Sequence, residues 1–181
     1  MSTMQSSVIP YITAREGEEA DSLPALRASF DAAGVSRLSY WDETAQDRDV
    51  RGVLWARVTQ SLGADRLPTG APRWRLIHPA RQRECMLNFR CQVCLGDARS
   101  PEGLLFLESK KDGVPVSTLS ATVRTAQPPV CRQHARTATE RCPHLAAHGH
   151  VALLTQSAPL FGVIGTRHAY SENGIKCPCR R

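Results

Sequence analysis

Two pairs of residues in this chain have the types and the spacing of a metal site, Cys91-Gln92-Val93-Cys94 and Cys131-Arg132-Gln133-His134. Zinc takes four tetrahedral ligands from thiolate and imidazole, and a Cys-x2-Cys turn supplies two of them because its backbone amides point at the sulfurs. Gly96 lies two residues after Cys94, where such a turn needs an unusual dihedral. Cys131 and His134 are three residues apart. On a helix that is nearly one turn, so both side chains face one point. The first turn of a helix also favours a thiolate through its dipole. The expectation is one zinc ion held by Cys91, Cys94, Cys131 and His134. Four protein ligands leave no open position, so that zinc is structural.

These ligands require a turn, a strand pair and a helix in that order. Cys91–Gly96 reads as the turn, or knuckle. Gly103–Leu107 is an apolar strand, Lys110-Lys111-Asp112-Gly113 is a turn, and Val114–Val123 is the return strand. Asp-Gly favours the positive φ of a tight hairpin. Pro128-Pro129 opens a helix over Val130–Arg141, which Pro143 ends. Knuckle, hairpin and helix in this order resemble the treble-clef zinc fold group over about residues 88–145. The nuclease members of that group carry a histidine on the hairpin as general base. Residues 97–130 contain none, so that activity does not carry over.

The remaining cysteines and histidines fit this ion less well. Cys142 lies eleven residues after Cys131, which is roughly 16 Å along a helix at its usual rise. Cys142 reads as a buried thiol, or as part of a second site with His144, His148 or His150. Cys177 and Cys179 are too closely spaced to share a zinc with ease, and read as exposed thiols. Cys85 reads as packing. His78, beside Arg81 and Arg83, and His168 read as structural or solvated histidines, with His78 the better candidate for a pocket.

Charge narrows the partners. The formal net charge is +6, and nearly all the basic charge is arginine, the residue suited to bidentate contact with phosphate. Arg73, Arg75, Arg81, Arg83 and Arg90 precede the knuckle, with Trp74 and Phe89 between them, and Arg132 and Arg136 lie four apart on the helix. Such a series suits a nucleic-acid surface, with the aromatics stacking on bases. The expectation is therefore a zinc-stabilised binding or accessory protein, with nucleic acid or another protein as partner. The alternative is a small enzyme acting on an anionic substrate. It would draw on His78 and the acidic segment Asp42, Glu43, Asp47 and Asp49, which otherwise reads as a solvated connector. No glycine-rich phosphate loop or nucleophile elbow is present.

No apolar run approaches the ~20 residues that span a bilayer, and no signal peptide is visible in residues 1–25. The chain is expected to be cytoplasmic, where seven cysteines read as ligands or buried thiols rather than a disulfide framework.

The fold class is expected to be α+β. Residues 1–20 read as a loosely ordered terminus, 21–170 as a single zinc-containing domain and 171–181 as a tail. A helix capped by Asp21 or Ser22 is expected to carry Leu23, Leu26 and Phe30 on one face and to end at Gly34. Arg37–Tyr40 and Trp74–His78 read as extended, Pro79–Asn88 as a short basic helix. His150–Thr155 and Leu160–Ile164 read as a terminal strand pair. Over roughly residues 36–165 the chain resembles a group of uncharacterised actinobacterial proteins. The resemblance rests on Gly52–Arg57, His78–Arg83, the Cys91–Cys94 knuckle, Pro128–Cys131 and Cys142–Leu145. It implies cysteine as an alternative to His134 and implies no activity.

Overall fold

The computed structural model describes residues 8–110, 123–171 and 174–176. They form an α+β structure of small antiparallel sheets and short helices. The chain divides into two compact units, Met1–Glu18 with Gln60–Gly162, and Glu19–Thr59 with Val163–Arg181. The single domain expected over 21–170 spans parts of both units.

The first unit is built around the cysteine pairs. Strand β1 (Thr13–Arg15) is buried along its whole length, so the segment expected to be loose is ordered there. Its order comes from long range. β1 pairs antiparallel with β4 (Pro72–Ile77), and the amides of Tyr11 and Ile12 donate to the carbonyls of Val93 and Gln92 at 3.0 and 3.2 Å. A buried ion pair completes it. Arg81 Nη1 and Nη2 reach Glu18 Oε1 and Oε2 at 2.6 and 2.7 Å, and Glu18 also accepts the amides of Arg15 and Ser61.

Arg81 lies on helix α1 (Pro79–Asn88), where Pro79 takes the first position and Phe89 ends the helix in the left-handed region at φ 50°. The Arg90 amide closes back on the Cys85 carbonyl at 2.9 Å, the six-to-one bond of a left-handed helix end. That reversal delivers the chain directly into the knuckle.

Beyond the knuckle, β5 (Arg99–Ser100), β6 (Gly103–Ser109) and β7 (His150–Thr155) form one sheet in the order β5-β6-β7. β6 pairs with β7 from Leu104↔Thr155 to Ser109↔His150. Gly103 sits at φ +115°, and a Cβ there would collide with the Thr155 carbonyl. The return strand expected over Val114–Val123 lies almost wholly outside the described residues. Helix α2 covers Arg132–Arg141 and α3 covers Pro143–His148, with Cys142 between them. Cys91, Val93, Leu104, Phe106, Leu107, Val130, Ala138 and Leu145 make the core, so a candidate ligand is itself a core residue.

The second unit corrects the helix expected after Ser22. Leu23–Ala25 is one 3₁₀ turn, and β2 (Leu26–Phe30) follows, paired with β3 (Ser36–Tyr40). Gly34, at φ +76°, turns the hairpin instead of ending a helix. The Asp31 carboxylate takes the amides of Ala33 and Val35 at 2.9 Å each. An aspartate that satisfies the amides two and four residues on favours a turn over continued helix.

The acidic segment also folds against arginine. Asp47 takes both Arg57 Nε and Nη2 at 2.7 Å, and Glu43 takes Arg48 Nε at 2.7 Å and Nη2 at 2.9 Å. Leu160–Ile164 forms no strand. The terminal pair is instead β8 (Ala169–Ser171) with β9 (Gly174–Lys176), so part of the expected tail is structured. Leu160, Phe161, Val163 and Ile164 are exposed, with the Arg124 guanidinium 3.7 Å over the Phe161 ring.

Candidate metal centre

Each half of the centre is shaped by backbone. The Leu95 amide donates to the Cys91 carbonyl at 2.9 Å and the Cys91 amide to the Gly96 carbonyl at 2.7 Å, which closes the knuckle. The unusual dihedral falls on Leu95, at φ 62°, and not on Gly96. Gly96 is needed for space, because a Cβ there would stand 3.3 Å from Cys94 Sγ. Leu95 packs beside Tyr11, Ile12 and Cys85. That burial offsets a left-handed conformation that costs an ordinary residue about 1–2 kcal/mol.

Cys131 is the N-cap of α2, not a residue of its first turn as the sequence suggested, and His134 is three residues inside the helix. The extended backbone of Cys131 (φ −71°, ψ 153°) projects its sulfur over the helix end beside the imidazole.

The four side chains meet. Their ligand atoms all lie within 4.8 Å of one another. Cys94 Sγ is 4.0 Å from Cys131 Sγ, and Cys131 Sγ is 3.2 Å from His134 Nδ1. Around a tetrahedral zinc with ordinary bond lengths, sulfurs stand about 3.8 Å apart and sulfur and nitrogen about 3.6 Å. The two separations depart from those edges by a few tenths of an ångström, and Cys91, Cys94, Cys131 and His134 lie close enough together to hold a metal ion.

Electrostatics supports the same reading. The Val93 amide donates to Cys91 Sγ at 3.4 Å. The amides of Gly96 and His134 favour the thiolate forms of Cys94 and Cys131. Even so, burial and the neighbouring sulfurs push Cys94 up to about 11, and burial raises Cys131 as well. The raised thiols of Cys94 and Cys131 favour the neutral form, and a bound metal cation would invert that balance.

Gln92, between the two knuckle cysteines, is a positioning residue that spacing did not reveal. Its amide donates to the Pro129 carbonyl at 3.0 Å, and its side-chain Nε2 donates to the Pro128 carbonyl at 2.9 Å. Both bonds tie the knuckle to the segment that ends in Cys131. The Val130 amide then donates to the Leu105 carbonyl at 2.8 Å, which fixes that segment on the sheet. A residue in the x2 gap with a side-chain amide was the one signal available.

The other candidates fall outside the cluster. Cys142 packs against the core at the far end of α2. Cys85 is fully buried, and burial pushes its thiol up to about 12. His78 is fully buried at the head of α1, which removes it as a surface pocket residue. His148 and His150 are exposed. Cys177 and Cys179 lie outside the described residues, and so does the His144 side chain.

The arginine series divides. Arg81 is 1% exposed and committed to Glu18, so it faces no partner, because the buried carboxylate of Glu18 takes its guanidinium into the core. Arg73, Arg75 and Arg90 are exposed and Arg83 is half-buried. Arg73 and Arg75 share one face of β4, while Trp74 points to the other. Phe89 is capped by the Arg99 guanidinium at 5.0 Å. Arg132 and Arg136 are exposed and pair with Glu102 at 3.2 Å and Glu140 at 2.7 Å.

A groove of about 510 Å³ opens beside the centre, bordered by Cys94, Cys131, Arg99, Arg132, Leu105 and Leu154. No described helix is long and apolar enough to cross a membrane. No protein-family model, no curated protein and no solved structure matches this chain.

Proposed function

We propose that Cys91, Cys94, Cys131 and His134 hold one structural zinc in a treble-clef-like arrangement, and that the chain is a cytoplasmic binding protein whose partner is nucleic acid. The observation that carries the zinc is the convergence of three sulfurs and one imidazole nitrogen within 4.8 Å. Thiolate and imidazole in tetrahedral array select zinc over oxygen-seeking cations. Four protein ligands close the site, so the zinc holds the knuckle to α2 and performs no chemistry itself.

The binding reading rests on charge. The chain carries +6 overall, and Arg73, Arg75, Arg90, Arg132 and Arg136 are all exposed. The ion pairs of Arg132 and Arg136 are at the surface, where such pairs contribute little, and phosphate can replace their carboxylates. The acidic segment supports binding over catalysis, because Asp47 and Glu43 are engaged by Arg57 and Arg48.

Two measurements test this reading. Elemental analysis of the purified chain should give one zinc per molecule. Fluorescence anisotropy with a labelled oligonucleotide should show affinity falling about a hundredfold or more between 50 and 200 mM salt, as several phosphate contacts require. A chain without zinc refutes the centre. A zinc-loaded chain whose binding ignores salt refutes nucleic acid as the partner.

A further inference from the structure

The four candidate ligands are not equally accessible. Cys91 is fully buried in the core, whereas Cys94 is exposed and Cys131 is half-buried. Cys94 and Cys131 border the groove beside the centre, and neither Cys91 nor His134 does. Their sulfurs are 4.0 Å apart. We propose that Cys94 is an oxidant-sensitive modification site, and that peroxide converts Cys94 and Cys131 into a disulfide that releases the metal. The inference rests on the metal-centre reading above.

Access decides where oxidation begins. Among the described cysteines Cys94 is the exposed one, while Cys85 and Cys91 are buried. The charged side chains at the groove are paired, Arg99 with Asp97 at 3.3 Å and Arg132 with Glu102 at 3.2 Å. The groove therefore presents no strong net field, and a small neutral oxidant such as hydrogen peroxide enters it freely.

The Cys94 thiolate attacks one peroxide oxygen, the O–O bond breaks, and hydroxide leaves and is protonated to water. Cys94 is now a sulfenic acid. The Cys131 thiolate attacks that sulfur, the S–S bond forms, the S–O bond breaks, and a second hydroxide leaves as water. Two thiolates have given two electrons to one peroxide, with two protons taken from solvent.

The sulfurs close from 4.0 Å to about 2 Å. Cys131 is an N-cap in extended backbone whose carbonyl accepts the His134 amide at 3.0 Å, so its side chain turns about its own Cα–Cβ bond while that backbone bond of α2 is kept. Cys91 and His134 are left as ligands, and two ligands do not retain a zinc that four hold.

The test uses the full chain as purified. Zinc content is measured first, then hydrogen peroxide is titrated in. Released zinc is read with a chromogenic chelator, and disulfides are located by mass spectrometry of non-reduced peptides. The expected result is one zinc released per Cys94–Cys131 disulfide, reversed when dithiothreitol and zinc are restored. Cys142→Ser should release zinc at the wild-type rate. Linkage of Cys94 to any other cysteine overturns the inference, and so does zinc retained after Cys94 is oxidised. A chain that carries no zinc before oxidant is added overturns the metal-centre reading itself.

Discussion

The amide of Gln92 donates to the carbonyl of Pro129 across 3.0 Å, and the Gln92 side chain reaches the Pro128 carbonyl at 2.9 Å. One residue in the gap between two knuckle cysteines therefore holds the segment that delivers the third. The halves of the candidate centre are 37 residues apart between Cys94 and Cys131, and this clamp ties one to the other.

Gln92→Ala removes the side-chain bond and keeps the backbone one. A neutral hydrogen bond of this kind contributes about 1 kcal/mol. Zinc affinity should fall roughly fivefold, with the fold retained. Competition against a chromogenic chelator reads the affinity. An unchanged affinity would show that the backbone bond alone aligns the halves.

Cys91→Ser removes a ligand that is also a core residue. Zinc stoichiometry and cooperative unfolding of the first unit should be lost together, because metal-binding energy is folding energy in such centres. Excess chelator should reproduce the effect on the wild type. Cys142→Ser should leave zinc content unchanged, since Cys142 lies outside the cluster.

Gly96→Ala places a methyl group 3.3 Å from Cys94 Sγ. The sulfur must move by a few tenths of an ångström, which disturbs the tetrahedron rather than the turn. Zinc affinity should fall while the apo chain unfolds much as before. Leu95→Gly should behave differently. It relieves the left-handed strain but removes packing on Tyr11, Ile12 and Cys85, and its effect should appear in thermal stability.

The Glu18–Arg81 pair predicts a pH dependence. Burial alone would raise the Glu18 carboxyl, but Arg81 and the amides of Arg15 and Ser61 outweigh it and hold the group down at about 2, against 4.5 for the free group. A carboxyl depressed on folding stabilises the fold above its unfolded pKa. That contribution, on the order of 3 kcal/mol, is complete above about pH 5 and disappears as pH falls from about 4.5 toward 2. The stability difference between wild type and Glu18→Gln, measured by denaturant unfolding, should shrink over that window. A difference that stays constant from pH 6 to pH 3 would remove the ion pair as its source.

Arg15 provides the contrast to that pair. It is 3% exposed, and its Nε and Nη1 have no acceptor. Burial, and then the charge of Arg81, pull its pKa down. Nη2 alone is bonded, to the Pro10 carbonyl at a long 3.4 Å, and the Glu18 charge offsets only part of the burial. A buried cation so thinly compensated is costly, so Arg15→Met should stabilise the first unit by about 1 kcal/mol. Thermal unfolding of the variant checks this.

Residue type and local spacing were enough to name the four candidate ligands, to separate Cys142 from them, and to place α1 and β7. Those features depend on periodicities within one element, and helical rise alone sets Cys142 apart from Cys131. Local spacing failed where distant residues compete. Leu23, Leu26 and Phe30 fit a helical face, yet Asp31 and Gly34 turn that segment into a hairpin paired with Ser36–Tyr40.

Tertiary structure alone decided three matters. Thr13–Arg15 becomes a buried strand because β4 pairs with it. Arg81 becomes a core residue instead of a surface one because Glu18, 63 residues away, neutralises it. The ligands become unequal, with Cys91 in the core and Cys94 on a groove. Which atoms bind metal is a matter of chemistry and spacing, which a sequence carries. Which of them solvent reaches depends on what packs over each, and only the folded chain determines that.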